Sequence, residues 1–118
     1  MKYMLLIHQG STPTPPSAAW DALPEEEKGA VYAAYRAINE NPGVTPGNQL
    51  AAPEMASTVR VANGRTLTTD GPFAEIKEAI GGYLLFEADD LDAAIELASQ
   101  IPAARLGGAI EVRPIVER

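Results

Sequence analysis

The tripeptide Asp70-Gly71-Pro72 limits what this chain can fold into more than any other stretch. Proline lacks an N–H and fixes its own φ, so no strand ladder runs through Pro72. The run 65–69, Arg-Thr-Leu-Thr-Thr, must therefore end in a tight turn at Asp70. Phe73 then provides one large apolar anchor among Glu75, Lys77 and Glu78. Gly81-Gly82 releases the chain into its most apolar strand, Tyr83-Leu84-Leu85-Phe86. Residues 74–79 read equally as a helical turn or as an extended arm. Polar groups on a loop held by a rigid sheet are favoured places for binding and catalysis. The stretch marks a candidate site without identifying a reaction.

The rest of the chain supplies a sheet to hold that loop. Residues 3–7, Tyr-Met-Leu-Leu-Ile, are a continuous apolar run, predicted to be a strand buried on both faces. His8-Gln9-Gly10 ends it, and a proline-rich loop at 12–16 leads to Trp20, which either docks that loop or lines a pocket. Pro24 and three glutamates mark a helix start, with negative charge at the positive end of the dipole. Val31, Ala34, Tyr35 and Ile38 recur as its buried stripe, and Asn41-Pro42-Gly43 stops it. Turn residues dominate 42–55, with Gln49-Leu50 a candidate short strand.

Residues 58–61 alternate polar and apolar like a half-buried strand. Asn63-Gly64 turns them back antiparallel, because a type I′ turn needs positive φ at both central positions. After a strand at 83–87, Asp89 or Asp90 caps a second helix with Leu91, Ala94, Ile95 and Ala98 on one face. Ile101-Pro102 closes it. Gly107-Gly108 opens a last strand, 110–116, with Ile110, Val112 and Val116 on one face and Pro114 pointing to an edge. The order is β-α-β-β-β-α-β, a ferredoxin-like frame with an extra hairpin strand. Two helices cover one face of such a sheet, yet the first and fourth strands are apolar on both. The second face calls for a second copy.

Composition narrows the function. One domain spanning 1–118 fits the length. A net charge of −7 argues against a phosphate-backbone partner, so no nucleic acid is expected. Zero cysteines exclude a disulfide framework, and with one histidine a zinc site is implausible. Dinucleotide fingerprint, P-loop, nucleophile elbow and metal-ligand pair are all missing, so no cofactor is expected. Neither a bilayer-length apolar run nor a signal-peptide core is present, which makes the cytoplasm the expected compartment and excludes a membrane partner.

Asp70-Gly71-Pro72-Phe73, the following Ala74-Glu75-Ile76-Lys77-Glu78 and Gly81-Gly82-Tyr83 together resemble the signature of the DGPF group of YCII-related proteins. Residues 2–7, Val59-Arg60, 90–94 and Glu111-Val112-Arg113-Pro114 are similar to that family as well. The resemblance implies a ferredoxin-like α+β fold that pairs into a dimeric α+β barrel. It also allows a regulatory role beside an extracytoplasmic-function sigma factor, since such proteins are often encoded next to one.

In a ferredoxin-like sheet the first strand lies between the fourth and the last. His8 then sits beside Gly81-Gly82 and Gly107-Gly108, where the Asp70 loop also arrives. His8 and Asp70 are the candidate acid–base pair, the carboxylate orienting the imidazole. Arg60, Phe73, Lys77 and Tyr83 are the candidate ligand-binding residues. These assignments favour a homodimeric small-molecule binder or cofactor-free enzyme with its pocket at the Asp70-Gly71-Pro72-Phe73 loop. The alternative is a non-catalytic partner of the sigma factor.

Overall fold

A computed structural model describes residues 1–70 and 80–117. The loop 71–79, which carries Phe73 and Lys77, lies outside the described residues. The elements are β1 (Lys2–His8), α1 (Ala18–Asp21), α2 (Glu25–Glu40), β2 (Val44–Thr45), β3 (Ser57–Ala62), β4 (Arg65–Asp70), β5 (Ile80–Glu87), α3 (Leu91–Ser99) and β6 (Ala109–Pro114). Short 3-10 turns occupy Pro53–Met55 and Pro102–Ala104.

Four antiparallel strands form one sheet in the order β2-β5-β1-β6. β1 is central, flanked by β5 and β6 as the ferredoxin-like frame requires. The expected barrel is not formed. The sheet is open, ending on one side at the two-residue β2 and on the other at β6, which runs into Pro114. A very short strand and a proline-terminated one offer little edge for further pairing. The 58–69 hairpin adds no strand to the sheet: β3 and β4 pair only with each other among the described residues. Its turn is as expected, with φ of 52° at Asn63 and 75° at Gly64. The expected half-burial fails, because Val59, Val61 and Leu67 are 58%, 70% and 50% exposed. The ribbon projects, in keeping with a radius of gyration of 16.2 Å, where a compact chain of this length has roughly 13.5 Å.

Tyr3, Leu5 and Ile7 of β1 and Leu84 and Phe86 of β5 point to one face of the sheet. There they pack with Ile38 of α2, Ala94, Leu97 and Ala98 of α3, and Ile101. Burial on both faces of β1 does not occur. Met4 and Leu6 on the opposite face are only half-buried, since both helices cover the first face. The α3 stripe also differs from its expected position. Ala94, Leu97 and Ala98 face the core, while Leu91 and Ile95 are about half exposed. Asp90 is the N-cap, its Oδ1 accepting the Ala93 N–H at 2.9 Å. Pro24 caps α2 rather than sitting inside its first turn. Val116 lies beyond β6 and is exposed.

No described helix is long and apolar enough to cross a membrane.

Candidate functional site

One cavity of about 270 Å³ lies between the helix-covered face of the sheet and the first two helices. Its floor is apolar because the alternation in β1 and β5 sends Ile7 and Leu84 to that face. Trp20, placed by the short α1, and Val31 of α2 form the wall. Ser17 fixes α1 by accepting the Trp20 N–H at 3.0 Å. Trp20 meets Tyr32 edge to face, with centroids 5.5 Å apart and planes at 76°. Of the two roles expected for it, Trp20 takes that of lining a pocket.

Tyr35 and Asn39 enter the cavity from the same face of α2, four residues apart. Burial pushes the Tyr35 phenol above its ordinary pKa, keeping it neutral. Pro13 and Pro15 close one side, tied down by Gln49, whose Nε2 donates to the Pro15 carbonyl at 3.2 Å. Gln49 also bridges to Gly82, and the Leu50 N–H donates to the Gly81 carbonyl at 2.9 Å. The segment 46–49 is thereby stitched to the start of β5. Gly47 lies directly on Tyr83 there, where a Cβ would collide with the Tyr83 carbonyl oxygen. No charged side chain lines the cavity among the described residues.

The residues singled out from sequence fall into three places. Tyr83 lines the cavity, and its hydroxyl accepts a hydrogen bond from Asn48 Nδ2 at 3.2 Å. His8 ends β1 beside Ala109 and Ile80, as the topology predicts, but faces away from the cavity. Its Nε2 stands 3.1 Å from Glu111 Oε1, and Glu111 Oε2 is 3.4 Å from Arg113 Nε. This His-Glu-Arg chain lies on the sheet face that the helices leave open, with Met4 and Leu6. Arg60 belongs to the projecting ribbon, opposite Leu67. Asp70 ends the ribbon opposite Ser57, and Phe73 and Lys77 lie outside the described residues. The structure thus brings His8 and Tyr83 onto neighbouring strands, and sets Arg60 on a separate ribbon.

Glu111 and the amides of Gln9, Asn39, Asn48 and Gln49 were not singled out by sequence reasoning. Register alone reveals Glu111: it lies opposite Leu6, two residues before Arg113. The Tyr32, Tyr35, Asn39 spacing on α2 was the available signal for the cavity wall.

Comparison with known proteins adds to this geometry. The YCII-related domain family matches residues 1–118. An uncharacterized protein of Rhizobium meliloti (strain 1021) is 32% identical over 117 residues, covering 98% of this chain and 92% of that protein.

Proposed function

The chain belongs to the YCII-related domain family, and from that premise we propose that it is a small-molecule-binding protein of the DGPF branch. The cavity carries the reading: an apolar floor ringed by a few polar groups is the usual form of a ligand site. Gly81 and Gly82 line it, and the Asp70-Gly71-Pro72-Phe73 loop leads to them in sequence. Phe73, Lys77 and Tyr83 are proposed to complete the chamber, and Arg60 to approach the ligand from the ribbon. A fragment screen followed by Trp20 emission tests this directly, because Trp20 is the chain's one tryptophan and lines the cavity. Hits should quench or shift Trp20 and lose binding in Asn39→Phe, which blocks the rim from an exposed helix position. Hits that bind this variant as tightly as the native chain contradict the reading.

A second reading, a cofactor-free acid–base enzyme, is favoured by the 3.1 Å contact between His8 and Glu111. A carboxylate on one imidazole nitrogen orients the ring for proton transfer at the other. His8 and Asp70 are its proposed catalytic groups, with Glu111 positioning His8. His8→Gln and Asp70→Asn should then abolish turnover of a ligand from the screen. Wild-type turnover in both variants contradicts the enzymatic reading.

We also propose a homodimer, since exposed Val59, Val61 and Leu67 and the half-buried Met4 and Leu6 leave apolar surface uncovered.

A further inference from the structure

We propose that residues 13–16 form a stiff strap along the cavity and that Gln49 is its latch, so that breaking the Gln49–Pro15 hydrogen bond opens a way in. This rests on the reading of the cavity as a ligand chamber, and it names how the chamber opens.

The strap owes its stiffness and its light hold on the body to the same residues. Pro13, Pro15 and Pro16 have no N–H, so within 13–16 only Thr14 can donate from the main chain. The body must grip this segment chiefly through its carbonyl groups and side-chain contacts. Each proline also fixes its own φ, so the segment moves as a unit rather than unravelling.

Both ends of the strap are anchored. Before it, the Thr12 N–H donates to the Gln9 carbonyl at 2.8 Å and the Ser11 N–H to the Gly107 carbonyl at 3.3 Å. After it, Ser17 caps α1 by accepting the Trp20 N–H at 3.0 Å. Motion is thereby confined to the span between, where Pro13, Thr14 and Pro15 line the same cavity as Trp20.

The two sides of the latch differ in how firmly they are held. The main chain at Gln49 is pinned to β5 by the bridge to Gly82 and by the neighbouring Leu50–Gly81 hydrogen bond of 2.9 Å. Its side chain reaches out to the Pro15 carbonyl, Nε2 donating at 3.2 Å from an exposed position. Water competes for both partners there, and a neutral hydrogen bond of this kind shifts an equilibrium only about two- to tenfold. The latch favours the closed strap yet lets it lift, and the strap is the side that moves.

Acrylamide quenching of Trp20 tests this without a ligand. Trp20 is the chain's one tryptophan, is 6% exposed and lines the cavity, so a small neutral quencher reads the way in. Gln49→Leu and Gln49→Glu both remove the amide donor, and each should raise the quenching rate constant about two- to tenfold over the native chain, with the circular dichroism spectrum unchanged. Asp90→Ala is the control for general loosening: it weakens α3, which contributes nothing to the cavity wall among the described residues, and should leave quenching as in the native chain. Unchanged quenching in both Gln49 variants overturns the latch, as does an equal rise in Asp90→Ala. Native Trp20 quenched as freely as N-acetyltryptophanamide overturns the strap, because the way in then stands open. A chamber that fails does so in the fragment screen instead, so the two failures are told apart.

Discussion

Replacing Gly47 with alanine should destabilise the fold by about 1–3 kcal/mol, the usual cost of forcing an extra methyl into packed structure. A Cβ at this position would meet the Tyr83 carbonyl oxygen at a separation no side chain tolerates. It would also lie 2.8 Å from both the Tyr83 carbonyl carbon and the ring Cδ2. Carbon atoms rest roughly 3.5–4.0 Å apart, so the segment must retreat by about 1 Å. That retreat strains the Leu50–Gly81 hydrogen bond, the Gln49–Gly82 bridge and the Asn48–Tyr83 contact together. For a domain of this size each kcal/mol corresponds to roughly 4 °C, so the Tm should fall by about 4–12 °C. Trp20 emission should change as well, because the segment closes the cavity that Trp20 lines. Gly29→Ala is the matched control. Gly29 lies in the second turn of α2, exposed, with nothing within 4 Å of an added Cβ. There alanine should stabilise by about 0.5–1 kcal/mol and raise the Tm by roughly 2–4 °C. Melts of both variants followed by circular dichroism decide the matter. If Gly47→Ala melts at or above the wild type while Gly29→Ala behaves as stated, the close approach of residue 47 to β5 is refuted.

Two further outcomes follow from local chemistry. The raised Tyr35 pKa favours the neutral phenol in the folded state, so its contribution is fully present below the ordinary tyrosine value of 10.0 and is lost as pH rises towards the folded value. Melts across the alkaline range should show the native chain losing stability faster than Tyr35→Phe, and parallel curves refute the burial argument. Asp90→Ala removes the side chain that accepts the Ala93 N–H and should cost about 1 kcal/mol in chemical denaturation. A change below a few tenths of that shows the cap to be idle.

Much of the frame was legible because punctuation and alternation are local signals. Asn63-Gly64 announced the hairpin turn, Asp90 was one of two possible caps, and Pro114 marked an edge strand. The neighbours of β1 followed from the ferredoxin-like order, which placed His8 beside Gly81-Gly82 and Gly107-Gly108; the register sets it opposite the adjoining Ile80 and Ala109. Where patterns were degenerate, sequence misled. Leu91, Ala94, Ile95 and Ala98 form as good a helical stripe as Ala94, Leu97, Ala98 and Ile101, and only packing against the sheet chooses the second. Alternation at 58–61 was read as half-burial, but it cannot say whether anything lies against the apolar side. The first strand's uninterrupted apolar run likewise implied cover on both faces, and the helices provide it on one. The cavity had no linear signature. Ile7, Trp20, Tyr35, Gln49 and Leu84 meet only after β1, α1, α2, the 46–49 segment and β5 are assembled. Glu111 was hidden for a related reason: its pairing with His8 depends on the β1–β6 register.

The central claim, that the cavity between helices and sheet is the ligand chamber, is tested most directly by NMR of the isotope-labelled chain titrated with a hit from the fragment screen. The account predicts saturable shifts of the Trp20 indole and of the Gln9, Asn39 and Gln49 side-chain amides, with the His8 ring and the Met4 and Leu6 methyl groups unmoved. Shifts confined to His8, Met4 and Leu6 would contradict it by placing the ligand on the opposite face of the sheet.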